Sequence, residues 1–206
     1  MISLAHLRNL SCSIVPGWRD DRAAQLVEFA VSLPLLVVFV VGIFDFSNAF
    51  TLKQKLTNVA REAARAAAAE PSSDLQSTTT PVSVIDAFQD IDNYLLANNL
   101  SDCGVDTTPS KRDVTTWKYQ GTSGSCPPGG LTIFINRGYY FPANGTVPLN
   151  ADCTSTSPGI QTAVIATCIS IQYAYLWKFG RVASLLGRNL APQPQLAATA
   201  VAMNEN

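Results

Sequence analysis

The sequence predicts an α+β protein. A long N-terminal helix, first membrane-spanning and then amphipathic, precedes a short helix packed on an antiparallel sheet of about four strands. Three observations predict this. An uncharged apolar run from Phe29 to Phe44 passes without a breaker into helical periodicity that lasts to Glu70. A second helical stripe follows between Val82 and Leu100. Beyond Cys103 the pattern turns strand-like, with Gly- and Pro-rich segments between the runs.

Composition narrows the function classes. The chain has 206 residues, 14 Lys+Arg against 15 Asp+Glu, and a net charge of -1. Charged residues are 14% of the total, against about 25% in an average soluble domain. The balanced charge argues against a nucleic-acid partner, which asks for a basic excess. Apolar content of 47% argues against disorder.

Residues 1–23 are short, mixed and polar and read as a leader. The stretch FAVSLPLLVVFVVGIF carries no charge, and extending it back to Ala24 reaches the length of about 20 residues that a spanning helix needs. That extension takes in Glu28, a carboxylate near the start of a membrane helix. Either Glu28 sits at interface depth, favoured by the helix N-terminal dipole, or it pairs with a specific partner. A cleaved secretory signal is the rival reading of the segment, but DFSNAFTLKQK after Phe44 holds no A-x-A cleavage site. The expected partner of residues 24–44 is therefore the lipid bilayer.

From Asp45 to Glu70 the apolar residues Phe46, Ala49, Phe50, Leu56, Val59, Ala60, Ala63 and Ala67 recur at helical spacing, and Pro71 stops the helix. A helix from Ala24 to Glu70 would be on the order of 70 Å long. Residues 71–206 then form the α+β domain. In its first helix Val84, Ile85, Phe88, Ile91, Leu95 and Leu96 make one apolar stripe, and Asp86, Asp90 and Asn93 read as the solvated side. Strands are expected at Val114–Gln120, Leu131–Asn136, Ala163–Trp177 and Gln195–Met203. NRGYYFPANG reads as a turn with exposed aromatics, Tyr139, Tyr140 and Phe141 among them, and Phe179–Leu190 as a short helix or loop.

The cysteines orient the chain. Cys12 precedes the membrane segment, whereas Cys103, Cys126, Cys153 and Cys168 follow it. Four cysteines in one region suit two disulfides and an oxidising compartment, which places the N-terminus in the cytoplasm and the C-terminal domain outside. Three pairings are possible. Cys103–Cys126 with Cys153–Cys168 closes the shortest loops.

Catalytic chemistry is hard to build here. The single histidine, His6, lies in the leader, so the domain has no Ser-His-Asp or Cys-His arrangement. There is no glycine-rich phosphate loop, and the cysteines lack zinc spacing. No enzyme activity, cofactor or metal is expected.

Arg22 to Ala68 resembles the N-terminal signature of TadE-like proteins, minor pilins or pseudopilins of the tight-adherence (Tad/Flp) pilus. The resemblance is carried by Val27–Phe29, by Leu33–Leu35, by the GIFDF of Gly42–Phe46 and by the NVAREAAR of Asn58–Arg65. The C-terminal VAMNEN is similar to the family's usual ending. The resemblance implies a pilin-like fold and a non-enzymatic role in assembling or priming a pilus from the bacterial inner membrane. It implies other pilin and minor-pilin subunits, a prepilin peptidase and an inner-membrane assembly platform as partners. The peptidase would cut after Ala23, where the family more often has glycine, and leave Ala24 as the new N-terminus. Glu28, with Phe29 beside it, would then meet the freed amine of a neighbouring subunit. Two alternatives remain open: an uncleaved bitopic membrane protein whose outer domain binds a partner unrelated to pili, and a domain secreted after signal cleavage.

Overall fold

The computed structural model describes residues 21–73, 75, 79–124, 126–142, 152–154, 163–177 and 195–205. His6 and Cys12 in the leader, and the expected helix or loop at Phe179–Leu190, lie outside the described residues. The elements run α1 (Asp21–Ala69), α2 (Val82–Ala97), β1 (Ser110–Lys111), β2 (Thr116–Gly121), β3 (Leu131–Pro142), β4 (Ala163–Ala174) and β5 (Gln195–Met203). The strands form one sheet in the order β1-β2-β3-β4-β5, with every neighbouring pair antiparallel. The α+β class holds, with five strands where about four are expected. The additional strand, β1, is two residues long and carries no periodic signal.

The chain divides into two compact units, one ending at Gly42 and one running from Ile43 to Asn206. In the first unit α1 is long and apolar enough to cross a membrane, and none of its most apolar stretch is buried. Leu26, Val27, Phe29, Val31, Leu35 and Leu36 all expose most of their surface. Pro34 lies inside the helix. It lacks the N–H that would reach the preceding turn, a loss that a helix in lipid tolerates where neighbouring groups adjust.

In the second unit the rest of α1 buries a stripe through Ala49, Leu52, Leu56, Val59, Ala60, Ala63, Ala64, Ala67 and Ala68. The 3–4 residue spacing sets that face, and the alanines allow close approach at no side-chain entropy cost. Phe46 and Phe50 are not part of it: they are 65% and 56% exposed. The buried stripe passes through Asp45 and Ala49, one position earlier, so the phenyl rings fall just beyond its edge.

The second helix is apolar where the periodicity places it, at Val84, Phe88, Ile91 and Leu95. Ile85 and Leu96, expected in the same stripe, are exposed, and Ser83 and Ala87 are buried in their stead. A helix lying over a sheet buries a narrower arc than the full apolar side of its sequence.

The main core joins both helices to one sheet face. Leu131, Ile133 and Ile135 of β3 pair with Tyr173, Ile171 and Ile169 of β4, and Ala198 and Ala200 of β5 stand opposite Ile171 and Ile169. All belong to the cluster that holds Leu56, Val84, Phe88, Trp117 and Tyr119. Period-two alternation puts every second residue on this face. Ile165, expected on the same side, is exposed.

Tyr119 stacks on Phe88 with centroids 4.1 Å apart. Its hydroxyl is buried without a hydrogen-bond partner among the described residues, and burial pushes the phenol well above its usual range. An unpartnered buried hydroxyl costs about 1–3 kcal/mol. Tyr119→Phe is therefore expected to leave stability unchanged or raise it by about 1 kcal/mol in denaturant unfolding. A loss of similar size would mean that the hydroxyl has a partner.

The NRGYYFPANG segment departs most from expectation. Asn136 to Pro142 lie inside β3, and Tyr139 is fully buried rather than an exposed turn aromatic. The register shifts between Asn136 and Tyr139, as one extra residue bulges out. The Asn136 Oδ1 accepts from the Gly138 N–H at 2.9 Å and from the Thr115 hydroxyl at 3.0 Å. Asn-x-Gly thus makes its usual local turn contact, but within a continuing ladder. A side chain at Gly138 would meet Thr115 at 2.6 Å, so glycine is required for this close approach. The bulge returns Tyr139 to the same sheet face as Phe134, where both pack with Cys153 and Cys168 in a second, smaller core.

Beside that core Arg112 pairs with Asp152 at 3.2 Å. Burial acts to raise the Asp152 carboxyl, but hydrogen bonds from Thr154 and Arg112 outweigh it and hold the group below the usual carboxylate range. A depressed folded value contributes stability above the unfolded value of about 3.9, and the contribution is lost as pH falls through the folded value. Both side chains are more than a third exposed, so the effect on stability is small. Arg112→Ala should raise the Asp152 midpoint in a carboxyl-detected NMR titration, and an unmoved midpoint would discount the pair.

Candidate functional site

The residues singled out by sequence fall in two places. Ala23 and Ala24 lie in the first turn of α1, with Glu28 and Phe29 about one turn further on. Glu28 is exposed, and its neighbours Leu26, Val27, Phe29 and Val31 expose apolar surface around it. Among the described residues nothing pairs with its carboxylate. Placed in lipid, a carboxylate on this surface would be costly without a counter-ion.

The four cysteines lie in the second unit. Cys103 sits with its Cα 5.3 Å from that of Cys126, and Cys153 with its Cα 5.7 Å from that of Cys168. Both spacings suit a disulfide. All of Cys103, Cys153 and Cys168 are buried. The first pair ties the loop after α2 to the loop before β3, and the second ties residue 153 to β4. Among the described residues no three His, Cys, Asp or Glu side chains gather as they would around a metal.

Three contacts that sequence reasoning missed attach the sheet to the second part of α1. The first is at its start. Asp45 is buried, and the Tyr175 hydroxyl donates to its Oδ1 at 2.8 Å and approaches its backbone oxygen at 3.1 Å. Burial, reinforced by the adjacent carboxylate, pushes the Tyr175 phenol up to about 12. The tyrosine therefore stays a donor throughout the physiological range.

The second is at the other end. Arg137 is fully buried, and its Nη2 donates to the carbonyl of Glu70 at 2.8 Å and lies 3.4 Å from that of Pro71. Both carbonyls lie just past Ala69, the last residue of α1, so the guanidinium sits at the helix C-terminus, whose partial negative charge favours a cation. The last turn of α1 contains no basic residue of its own, so the bulge of β3 delivers the arginine.

The third is the C-terminal segment. The Glu205 N–H donates to the Ala68 carbonyl at 3.3 Å. Asn204 is held by Thr167 at 2.6 Å and donates to the Arg137 carbonyl at 3.1 Å. Residues of VAMNEN thus close the end of the helix and brace Arg137. The available signals were Asp45 on the same stripe as Ala49, and a lone arginine within the apolar run Leu131–Phe141.

This arrangement presents a helix and anchors it. It displays an exposed apolar surface with one carboxylate, and it fixes the second part of α1 to a sheet at both ends. No curated protein and no solved structure matches the chain. A family model does, that of the TadE-like protein family, over a segment that takes in Ala23, Ala24, Glu28 and Phe29 and ends at Arg65. The resemblance carried by Arg22–Ala68 is thereby borne out: residues 23–65 of this chain match the TadE-like protein family.

Proposed function

We propose that the chain is a membrane-anchored minor pilin, or pseudopilin, that takes part in assembling or priming a Tad pilus and catalyses no reaction. The observation that carries this is the family match over residues 23–65, which covers the unburied apolar stretch bearing Glu28 and runs on into the buried stripe of α1. In this reading residues 1–23 are a cytoplasmic leader, 24–44 span the inner membrane, 45–70 continue the helix outside, and 71–206 form the extracytoplasmic domain. A prepilin peptidase removes the leader after Ala23. Glu28 then faces the freed amine of another subunit, where mutual attraction is strong in low dielectric and desolvation offsets much of it. Such a pair sets subunit register more than it adds stability. Other pilin subunits and the inner-membrane assembly platform are the partners.

An oxidising compartment would join both cysteine pairs. Peptide mapping without reductant is expected to recover Cys103 linked to Cys126 and Cys153 linked to Cys168, and any crossed link would contradict the proposed pairing. The function itself is tested by deletion and complementation in the producing cell. Surface pili are expected to fall sharply and to return with the intact gene, and unchanged piliation would refute the role.

A further inference from the structure

Between the end of α1 and the exposed side of α2 lies a groove of about 320 Å³. Ala66 and Ala67 form its α1 wall, and their short side chains leave it open. Glu70 also lines it, with Asp86 and Asp90 from α2. No lysine or arginine lines it. Asp86 and Asp90 are one turn apart and, among the described residues, neither pairs with a cation. Like charges at that spacing weaken a helix. They do not serve the α2 N-terminus either, whose first turn carries no acidic residue.

A second observation is independent of this charge. Ser83 also lines the groove, is only 2% exposed, and has a hydroxyl with no hydrogen-bond partner among the described residues. A buried hydroxyl is seldom left unmatched, and each exception asks for an explanation. The side-chain amides of Gln89 and Asn93 add further acceptor oxygens on the same wall.

We infer that this groove receives the guanidinium of an arginine side chain from a partner protein. A metal ion fits poorly, because no three His, Cys, Asp or Glu side chains converge among the described residues. A guanidinium is planar, always charged, and presents five donors, so it can engage carboxylates, amide oxygens and a hydroxyl together. The inference does not depend on pilus membership.

The test uses the full chain in uncharged detergent micelles, titrated with N-acetyl-arginine amide and, separately, with the neutral N-acetyl-citrulline amide. Amide resonances of residues 83–93 should shift saturably with the arginine probe and not with the citrulline probe. The double variant Asp86→Asn, Asp90→Asn should weaken binding at least fivefold, and Ser83→Ala about twofold, with the rest of the spectrum unchanged. No saturation with arginine, an equal response to citrulline, or saturation of the same resonances by calcium chloride alone would overturn the assignment.

Discussion

Arg137→Ala is expected to destabilise the second unit by about 3 kcal/mol. The guanidinium is fully buried and reaches the Glu70 and Pro71 carbonyls beyond the end of α1. Truncation leaves those acceptors without this donor, each worth about 1–3 kcal/mol if no water replaces it. It also opens a cavity where the side chain's stem packs. Relief of the buried charge offsets part of the loss. Arg137→Met keeps most of the volume and loses only the hydrogen bonds, so its cost should be about 1.5 kcal/mol. In a chain of this size 3 kcal/mol lowers the midpoint by roughly 6–12 °C. Thermal unfolding followed by tryptophan fluorescence checks both variants. An Arg137→Ala midpoint equal to that of the parent would show that the helix end is held by other contacts.

Glu28→Ala is expected to reduce incorporation of the subunit into the assembly at least tenfold while leaving membrane insertion intact. The substitution makes the apolar segment more apolar, so insertion does not suffer. In the proposed pairing it removes the counter-charge of a neighbouring subunit's amine, a loss of several kcal/mol, and each 1.4 kcal/mol is tenfold in affinity. Glu28→Gln retains an acceptor without the charge and should fall between the two. Fractionation of membrane and sheared-pilus material reads both quantities, and normal incorporation of Glu28→Ala would remove the pair from the mechanism.

What was legible in the sequence follows from how local each signal is. The boundaries of β5 are read directly, because alternation in a strand needs no knowledge of its partner. The apolar segment Phe29–Phe44 is legible for the same reason, and Glu28 stands out as a charge on an otherwise apolar surface. The Asn136–Gly138 triplet misleads because its hydrogen bonds are those of a turn, and only pairing with β2 and β4 makes it a bulge. Phe46 and Phe50 mislead because periodicity defines an apolar side but not which arc the sheet covers. Arg137 and Asp45 gain meaning only from residues far along the chain, at Glu70 and Tyr175. Asp86 and Asp90 are on a solvated face as expected, and only the fold shows the alanines of α1 opening a groove beside them.

In the proposed function α1 is processed at its cytoplasmic end and then buried among like subunits. Intact mass of the membrane-extracted protein tests that most directly. A chain lacking its first 23 residues and beginning at Ala24 is the predicted result. A full-length chain would instead support an uncleaved bitopic protein, and a soluble species beginning after Phe44 would make the apolar segment a removed signal; either contradicts the account.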